Sequence, residues 1–95
     1  MTCDIEIWDF NLFNLNMTVG HDCVIGSWNV FNPGVNLSGG VRVGDRVLAG
    51  TGSQVLEQLE VGSDATIGAG AMVRANVEAG QTVVGVPAKP VVRRA

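Results

Sequence analysis

The apolar residues of this chain recur with a period of six. From Met1 to Val84 the sequence divides into fourteen blocks of six residues, and the first residue of each block is apolar. These first positions are Met1, Ile7, Phe13, Val19, Ile25, Phe31, Leu37, Val43, Ala49, Val55, Val61, Ile67, Val73 and Ala79. Neither a helix, with its period of 3.6, nor an isolated strand, with its simple alternation, gives this spacing. A strict hexad is typical of a parallel β-helix, in which each block forms one short flat side of a coil.

The period predicts an all-β fold made of triangular coils. If three blocks close one turn, each coil takes 18 residues, the chain forms about five coils, and residues 18 apart lie directly above one another. We assign residues 1–84 to this β-helix and residues 85–95 to a short C-terminal tail. The fifth position of each block is mostly small or apolar, as in Cys23 and Val35, and is predicted to face inward.

Stacking the coils places further residues in vertical columns. Phe13 and Phe31 are expected to stack their rings in the core. Asn11 and Asn29 share an inward column, where their amides are expected to form a short hydrogen-bonded ladder. One column of glycines is expected where the chain turns tightly and backbone approaches backbone; its members are Gly26, Gly44, Gly62 and Gly80.

Composition and charge exclude several classes of protein. The 95 residues make one small domain, and a net charge of −3 with a pI near 4.8 argues against a nucleic-acid-binding protein, which needs a basic surface. Asp4 and Glu6 interrupt any apolar secretory start, and the longest uncharged run, 23–41, contains asparagines, glycines and a proline that argue against a membrane span. Cys3 and Cys23 are interpreted as reduced thiols of a cytoplasmic protein.

Several outward positions of the predicted coils carry large apolar side chains. They are Trp8, Phe10, Leu15, Trp28, Val30, Leu48 and Leu56. So many exposed apolar residues on a narrow prism indicate contact with another copy of the chain. Closed cyclic association is the usual form of a homo-oligomer, and for this architecture we expect a trimer of parallel prisms.

The single histidine, His21, is the first candidate for chemistry. It occupies the third, outward position of its block near a corner, and the residue one coil above it is Gly39, so no side chain covers the imidazole. Asp22 can orient the imidazole or strengthen it as a base, the Gly39 N–H can face a developing oxyanion, and Asn14 adds a hydrogen-bonding group on the adjoining edge. The alternative is a solvent-exposed histidine without a role.

A column of small residues forms the second candidate site. On the adjacent edge the third positions are Pro33, Thr51, Ala69 and Pro87. They leave a shallow furrow parallel to the prism axis, which is suited to an extended ligand lying between two subunits. The alternative is that small residues merely allow prisms to pack closely.

Three sequence motifs give the chain a specific resemblance. They are the runs 20–26 (GHDCVIG), 37–44 (LSGGVRVG) and 84–90 (VGVPAKP). With the hexads, they resemble the hexapeptide-repeat acyltransferases, and among these the bacterial sialic acid O-acetyltransferase and UDP-amino-sugar N-acetyltransferase family. The resemblance covers about residues 5 to 92 and implies left-handed coiling.

The resemblance also implies roles for the candidate residues. The histidine matching His21 would take the proton from the acceptor hydroxyl or amine, and the acidic residue matching Asp22 would make it a better base. Asn14 matches an asparagine of the same site, and Gly39 matches the glycine whose N–H forms the oxyanion hole.

The family resemblance places a coenzyme A site along the furrow. The positions matching Thr51 and Ala69 line the coenzyme A track, and the segment bordering the cofactor in enzymes that use acetyl-coenzyme A matches Val86, Pro87, Ala88 and Lys89. Two features depart from the family. An outward histidine of some relatives is Val30 here, and the N-terminal nucleotide-sugar-binding α/β domain that family members usually carry is not identified in this chain.

The sequence therefore predicts an acetyl-coenzyme A-dependent acetyltransferase, acting on a hydroxyl or amine of a sugar or nucleotide sugar with His21 as general base and no metal. It is expected to be a cytoplasmic homotrimer with sites between subunits, without nucleic-acid or membrane partners. A γ-type carbonic anhydrase would need three histidines on zinc, and this chain has one. The remaining alternative is a truncated, non-catalytic β-helix that serves as a structural or oligomerisation module.

Overall fold

The chain folds as a left-handed parallel β-helix. A computed structural model describes residues 6–8 and 10–91, and within these ranges every regular element is a strand. The predicted all-β fold is confirmed. Cys3 and residues 92–95 lie outside the described residues, and Cys23 is a buried free thiol.

The strands are short because each occupies only part of one flat side. In chain order they are β1 (Glu6–Ile7), β2 (Leu12–Phe13), β3 (Thr18–Val19), β4 (Val24–Ile25), β5 (Val30–Phe31), β6 (Asn36–Leu37), β7 (Arg42–Val43), β8 (Leu48–Ala49), β9 (Gln54–Val55), β10 (Glu60–Val61), β11 (Thr66–Ile67), β12 (Met72–Val73), β13 (Thr82–Val84) and β14 (Lys89–Pro90). In β4 to β12 the second residue of each strand is buried, while the first is more exposed.

Three parallel sheets form the sides of the prism. Side A is β1-β4-β7-β10, side B is β2-β5-β8-β11-β13, and side C is β3-β6-β9-β12. The short strand β14 adds to side B in the antiparallel direction, next to β13. Residues 18 apart pair throughout the first four coils, as Ile7 does with Ile25 and Ile25 with Val43, so the predicted stacking is confirmed there.

The interior is a column of first- and fifth-position side chains. Its buried apolar members include Cys23, Ile25, Phe31, Val35, Leu37, Val41, Val43, Val47, Ala49, Val55, Val61, Ala65, Ile67, Ala71, Val73, Val77 and Val83. Phe13 and Phe31 stack with ring centroids 5.2 Å apart, as expected, but only Phe31 is buried, because Phe13 lies in the first coil and is exposed. The expected amide-to-amide ladder of Asn11 and Asn29 was wrong, because each amide instead bonds the backbone of the coil above.

The chain turns at the fourth position of each block. Eleven successive fourth positions, from Phe10 to Gly70, have φ between 56° and 78°. The expectation that the glycines after the first position make the turns was therefore wrong for Gly26, Gly44 and Gly62. The part of it that concerned close approach is confirmed, because a Cβ on Gly62 would overlap the backbone nitrogen of Ala79. These glycines make room for the next coil.

Three corners follow from these turns, each defined here by its third and fourth positions. Corner A, between sides A and B, contains Ser27–Trp28, Asp45–Arg46 and Ser63–Asp64. Corner B, between sides B and C, contains Pro33–Gly34, Thr51–Gly52 and Ala69–Gly70. Corner C, between sides C and A, contains His21–Asp22, Gly39–Gly40 and Glu57–Gln58.

The last coil is shorter than predicted. Val61 bridges to Val77 and Ile67 pairs with Val83, an offset of 16 residues in place of 18. Four full coils are therefore followed by a shortened fifth one. The predicted inward position of Ala79 was wrong, because the larger Val77 fills the core and Ala79 is exposed. Gly80 accordingly moves to a left-handed turn at corner A, with φ 73°.

Candidate functional site

Corner C presents the histidine to solvent. His21 follows strand β3, and its side chain is 64% exposed. Its Nδ1 lies 3.1 Å from Asp22 Oδ2. A carboxylate only accepts hydrogen bonds, so this contact favours the neutral tautomer that has its proton on Nδ1 and its lone pair on Nε2. The left-handed turn at Asp22, with φ 59°, places the carboxylate beside the ring.

Gly39 leaves the space that the imidazole occupies. A Cβ built on Gly39 would lie 3.2 Å from Cε1 and 3.3 Å from Nε2 of His21. Real Cβ contacts are rarely so short, so any larger residue at this position would push the ring away. The Gly40 N–H donates to the His21 carbonyl at 2.9 Å and fixes the two coils against each other. The structure thus brings His21, Asp22 and Gly39 together.

The backbone of corner C offers a donor at Gly39. Its carbonyl accepts the Gln58 N–H at 2.9 Å, whereas its own N–H has no acceptor among the described residues. An available N–H next to an uncovered imidazole is the arrangement that stabilises an oxyanion formed close to a base. This part of the corner can therefore receive an atom on which negative charge develops.

Corner B is an exposed edge of the prism with few large side chains. Pro33, Thr51 and Ala69 are exposed, and the Gly70 N–H donates to the Thr51 carbonyl, which stacks these residues along the axis. A Cβ on Gly52 or on Gly70 would meet no atom within 4 Å. The small third positions and the glycines beside them leave a continuous open strip.

Asn14 belongs to corner B and not to the histidine corner. It precedes Leu15, the third position of corner B in the first coil, and its N–H donates to the Phe31 carbonyl. Leu15 and His21 lie at opposite ends of side C, with strand β3 between them. Within one chain, the structure separates Asn14, Thr51 and Ala69 from His21.

The C-terminal segment folds back onto the last coils. Residues 85–88 form a turn that leads into β14, the Met72 N–H donates to the Gly85 carbonyl, and the Ala88 N–H donates to the Met72 carbonyl. Because the last coil is two residues shorter, Gly85 and not Pro87 stands one coil above Ala69. The predicted column of small residues was wrong at Pro87, which lies in the turn with Val86.

Sequence reasoning missed the interactions of corner A. Phe10 and Trp28 stack there with ring centroids 4.5 Å apart, and both are exposed. Above them, Arg46 Nε donates to Asp64 Oδ1 at 2.7 Å, and this hydrogen bond lowers the pKa of Asp64 and raises that of Arg46. The signal was present, since each pair is 18 residues apart at outward positions.

Most of the outward apolar residues are exposed. Trp8, Phe10, Leu15, Trp28, Leu48 and Leu56 are exposed, and Val30 is half-buried. In the described ranges there is no group of three or more metal-ligating side chains. The same ranges contain no helix of the length and hydrophobicity required to cross a bilayer.

Solved structures of acyltransferases superpose closely on this chain. Perosamine N-acetyltransferase from Caulobacter crescentus, solved with CoA and GDP-perosamine as a histidine-to-asparagine variant, has a TM-score of 0.94 and 32% identity over 98% of this chain and 44% of that one. WeeI from Acinetobacter baumannii AYE has a TM-score of 0.90 and 38% identity over 93% of this chain and 44% of that one. Serine acetyltransferase from Neisseria gonorrhoeae, solved with serine, has a TM-score of 0.86 and 32% identity over 93% of this chain and 40% of that one.

The resemblance to hexapeptide-repeat acyltransferases is confirmed. No family model matches the sequence, and no curated protein matches it. This hexapeptide-repeat chain spans less than half the length of the acyltransferases just named.

Proposed function

We propose that this chain is the catalytic β-helix of an acetyl-coenzyme A-dependent acetyltransferase. The observation that carries the proposal is corner C, where an exposed imidazole, oriented by Asp22, lies against Gly39 with its N–H available. CoA is bound in a neighbouring structure of the same fold, the perosamine N-acetyltransferase. That protein was solved with a histidine replaced by asparagine, which agrees with a role for a histidine in this fold.

In the proposed reaction the acceptor attacks the thioester carbonyl carbon of acetyl-coenzyme A. His21 Nε2 removes the proton from the acceptor hydroxyl or amine as the new carbon–oxygen or carbon–nitrogen bond forms. The Gly39 N–H donates to the oxyanion of the tetrahedral intermediate. The carbon–sulfur bond then breaks, and the thiolate of coenzyme A takes the proton held by His21. Atoms and charge balance with neither a metal nor a covalent enzyme intermediate.

The complete site is proposed to lie between two protomers of a homotrimer. Corner B carries the furrow and Asn14, whereas corner C carries the base, so one chain does not bring both halves together. In a cyclic trimer, corner B of one protomer faces corner C of the next. Coenzyme A then lies along Thr51 and Ala69, beside the turn that contains Val86 and Pro87 and near Ala88 and Lys89.

The acceptor is proposed to be a nucleotide-linked sugar, in the cytoplasm. This extends to the present chain what is bound in the perosamine N-acetyltransferase structure, GDP-perosamine. Corner C is open to solvent and accommodates a sugar hydroxyl or amine beside Nε2. No group described at this corner selects nitrogen over oxygen, so both acceptors belong to the proposal.

The direct test combines binding and turnover. We expect acetyl-coenzyme A to bind by isothermal titration and its thiol to be released when amino-sugar nucleotides are added. His21→Ala removes the base and should abolish thiol release while leaving the binding constant for acetyl-coenzyme A nearly unchanged. Thr66→Ala, on the outer face of side B, is the control and should change neither quantity. Binding without turnover of any acceptor by the native chain would instead identify a non-catalytic module.

A further inference from the structure

The backbone N–H at the third position of a block points toward the coil above. At corner A, the donors of Ser27 and Asp45 are taken by side chains of that coil. The Ser27 N–H donates to Asp45 Oδ1 at 2.7 Å, and the Asp45 N–H donates to Ser63 Oγ at 3.0 Å. A short acceptor side chain 18 residues later thus accepts the hydrogen bond of the N–H beneath it, and we call such a donor sealed.

This sealing requires a glycine immediately before the donor. A Cβ built on Gly26 would overlap Asp45 Oδ1, and one built on Gly44 would lie 2.5 Å from Ser63 Oγ. Any residue other than glycine would therefore occupy the space through which the acceptor reaches down. Sealing at corner A depends on two conditions, a short acceptor above and a glycine below.

At corner C, the donors of His21 and Gly39 each lack one of these two conditions. His21 follows a glycine, Gly20, but the residue above it is Gly39, which has no side chain. Glu57 stands one coil above Gly39, but Gly39 follows Ser38 and not a glycine. No acceptor among the described residues takes the Gly39 N–H. The carboxylate of Glu57 is also one methylene farther from its backbone than that of Asp45.

We propose that Ser38 is a positioning residue for the acyl-transfer step. Its Cβ occupies the space that glycine leaves free at corner A, and so prevents the side chain at position 57 from sealing the Gly39 N–H. The serine hydroxyl is not needed for this role. The inference rests on the proposed function, in which that N–H stabilises the oxyanion.

The test restores both sealing conditions at corner C. In the double variant S38G/E57D, the shorter carboxylate at position 57 can reach the Gly39 N–H as Asp45 reaches that of Ser27. We expect kcat to fall by about 10²–10³-fold, the usual effect of losing one oxyanion donor, with the KM for acetyl-coenzyme A unchanged. S38G/E57Q has the same glycine without a short acceptor, and should keep its kcat. The single variants S38A and E57D each keep a Cβ at position 38, so the kcat of both should equal that of the native chain.

Amide hydrogen exchange measured by NMR tests the same idea without catalysis. The Gly39 amide should exchange rapidly in the native chain and in S38A, and slowly in S38G/E57D, where it should resemble the Ser27 amide. The proposal is overturned if the Gly39 amide of the double variant exchanges as rapidly as in the native chain, or if S38A loses as much kcat as the double variant. If the native chain turns over no acceptor, the exchange measurement still decides the role of Ser38 separately from the proposed function.

Discussion

Ser53 is a polar residue at an inward position, where the other buried side chains of its column are apolar. It occupies an inward fifth position between Val35 and Ala71 in its column, and it is fully buried. Its hydroxyl oxygen has no hydrogen-bond partner within residues 6–8 and 10–91. An unpaired buried hydroxyl destabilises the folded state by the free energy of its lost hydration.

Ser53→Ala should therefore raise the free energy of unfolding, by about 1 kcal/mol. Ser63→Ala is the matched control, because Ser63 Oγ accepts the Asp45 N–H and its removal should lower stability. Urea unfolding of the two variants measures both changes. Equal losses in the two variants would contradict the assignment of Ser53 as unpaired.

Residues other than glycine in the left-handed turns carry a conformational cost. Gln58 has φ 57°, where an L-residue is disfavoured by about 1–2 kcal/mol. Gln58→Gly should remove this cost and, after the entropy loss of glycine, stabilise the fold by roughly 0.5–1 kcal/mol. Gln54→Gly is the control. Because Gln54 lies in strand β9, this variant should lower the free energy of unfolding by about 1 kcal/mol. Changes of the same sign in urea unfolding would contradict this account.

At the scale of elements, the coils are joined by contacts that repeat every 18 residues. The side chain of Asn29 is one such connection, because its Oδ1 accepts the Val47 N–H at 2.7 Å and its Nδ2 donates to the Gly44 carbonyl at 2.9 Å. The side chain is fully buried, so water cannot replace it. A buried amide of this kind aligns two coils as well as filling the core.

Asn29→Ala should destabilise the protein by about 1–3 kcal/mol, because it leaves the buried Val47 N–H without an acceptor. Asn32→Ala is the control in the same coil. The Asn32 side chain donates to the Ala49 carbonyl, which also accepts the Asn32 backbone N–H and therefore keeps a partner. Thermal unfolding of both variants tests the difference, and a loss at Asn32 as large as that at Asn29 would contradict it.

The exposed Arg46–Asp64 pair predicts a pH effect at corner A. The hydrogen bond from Arg46 lowers the pKa of Asp64, so the folded state favours the ionised carboxylate. The contribution is present above the ordinary pKa of aspartate and is lost as pH falls through the lower folded value. Melting temperatures of the native chain should therefore fall more between pH 7 and pH 3 than those of Asp64→Asn. High salt should reduce the difference, since both side chains are exposed.

At the scale of the whole molecule, the separation of corners B and C makes oligomerisation part of the proposed chemistry. A trimer would have three times the 9.9 kDa mass of the chain, which analytical ultracentrifugation can measure. It would also bury part of the apolar surface at the two corners that meet, which includes Leu15 at corner B and Leu56 beside corner C.

A mixing experiment tests whether sites are shared between protomers. His21→Ala removes the base at corner C, and Thr51→Trp blocks the furrow at corner B, so each variant alone should be inactive. If the two are unfolded and refolded together, about a quarter of the sites in random trimers should combine two intact corners. Recovery of thiol release toward that fraction supports a shared site. A mixture as inactive as its components contradicts one.

The sequence by itself determined the fold and the members of corner C. A six-residue period predicts stacked triangular coils, whose left hand came from the family resemblance. Stacking then relates residues that are 1 or 18 apart, as His21 is to Asp22 and Gly39. Predictions of this kind need only the repeat length, because each coil contacts only the coils directly above and below it.

Only the tertiary structure decided where the repeat breaks and which backbone donors stay open. The hexad pattern continues formally to Ala79, but Val77 fills the core better, so the last coil shortens by two residues and displaces Pro87 from its predicted column. The tertiary structure also shows which N–H groups are sealed, because sealing requires two side-chain positions in different coils to fit together. Such a contact depends on the distance between coils, which the period of the sequence does not encode.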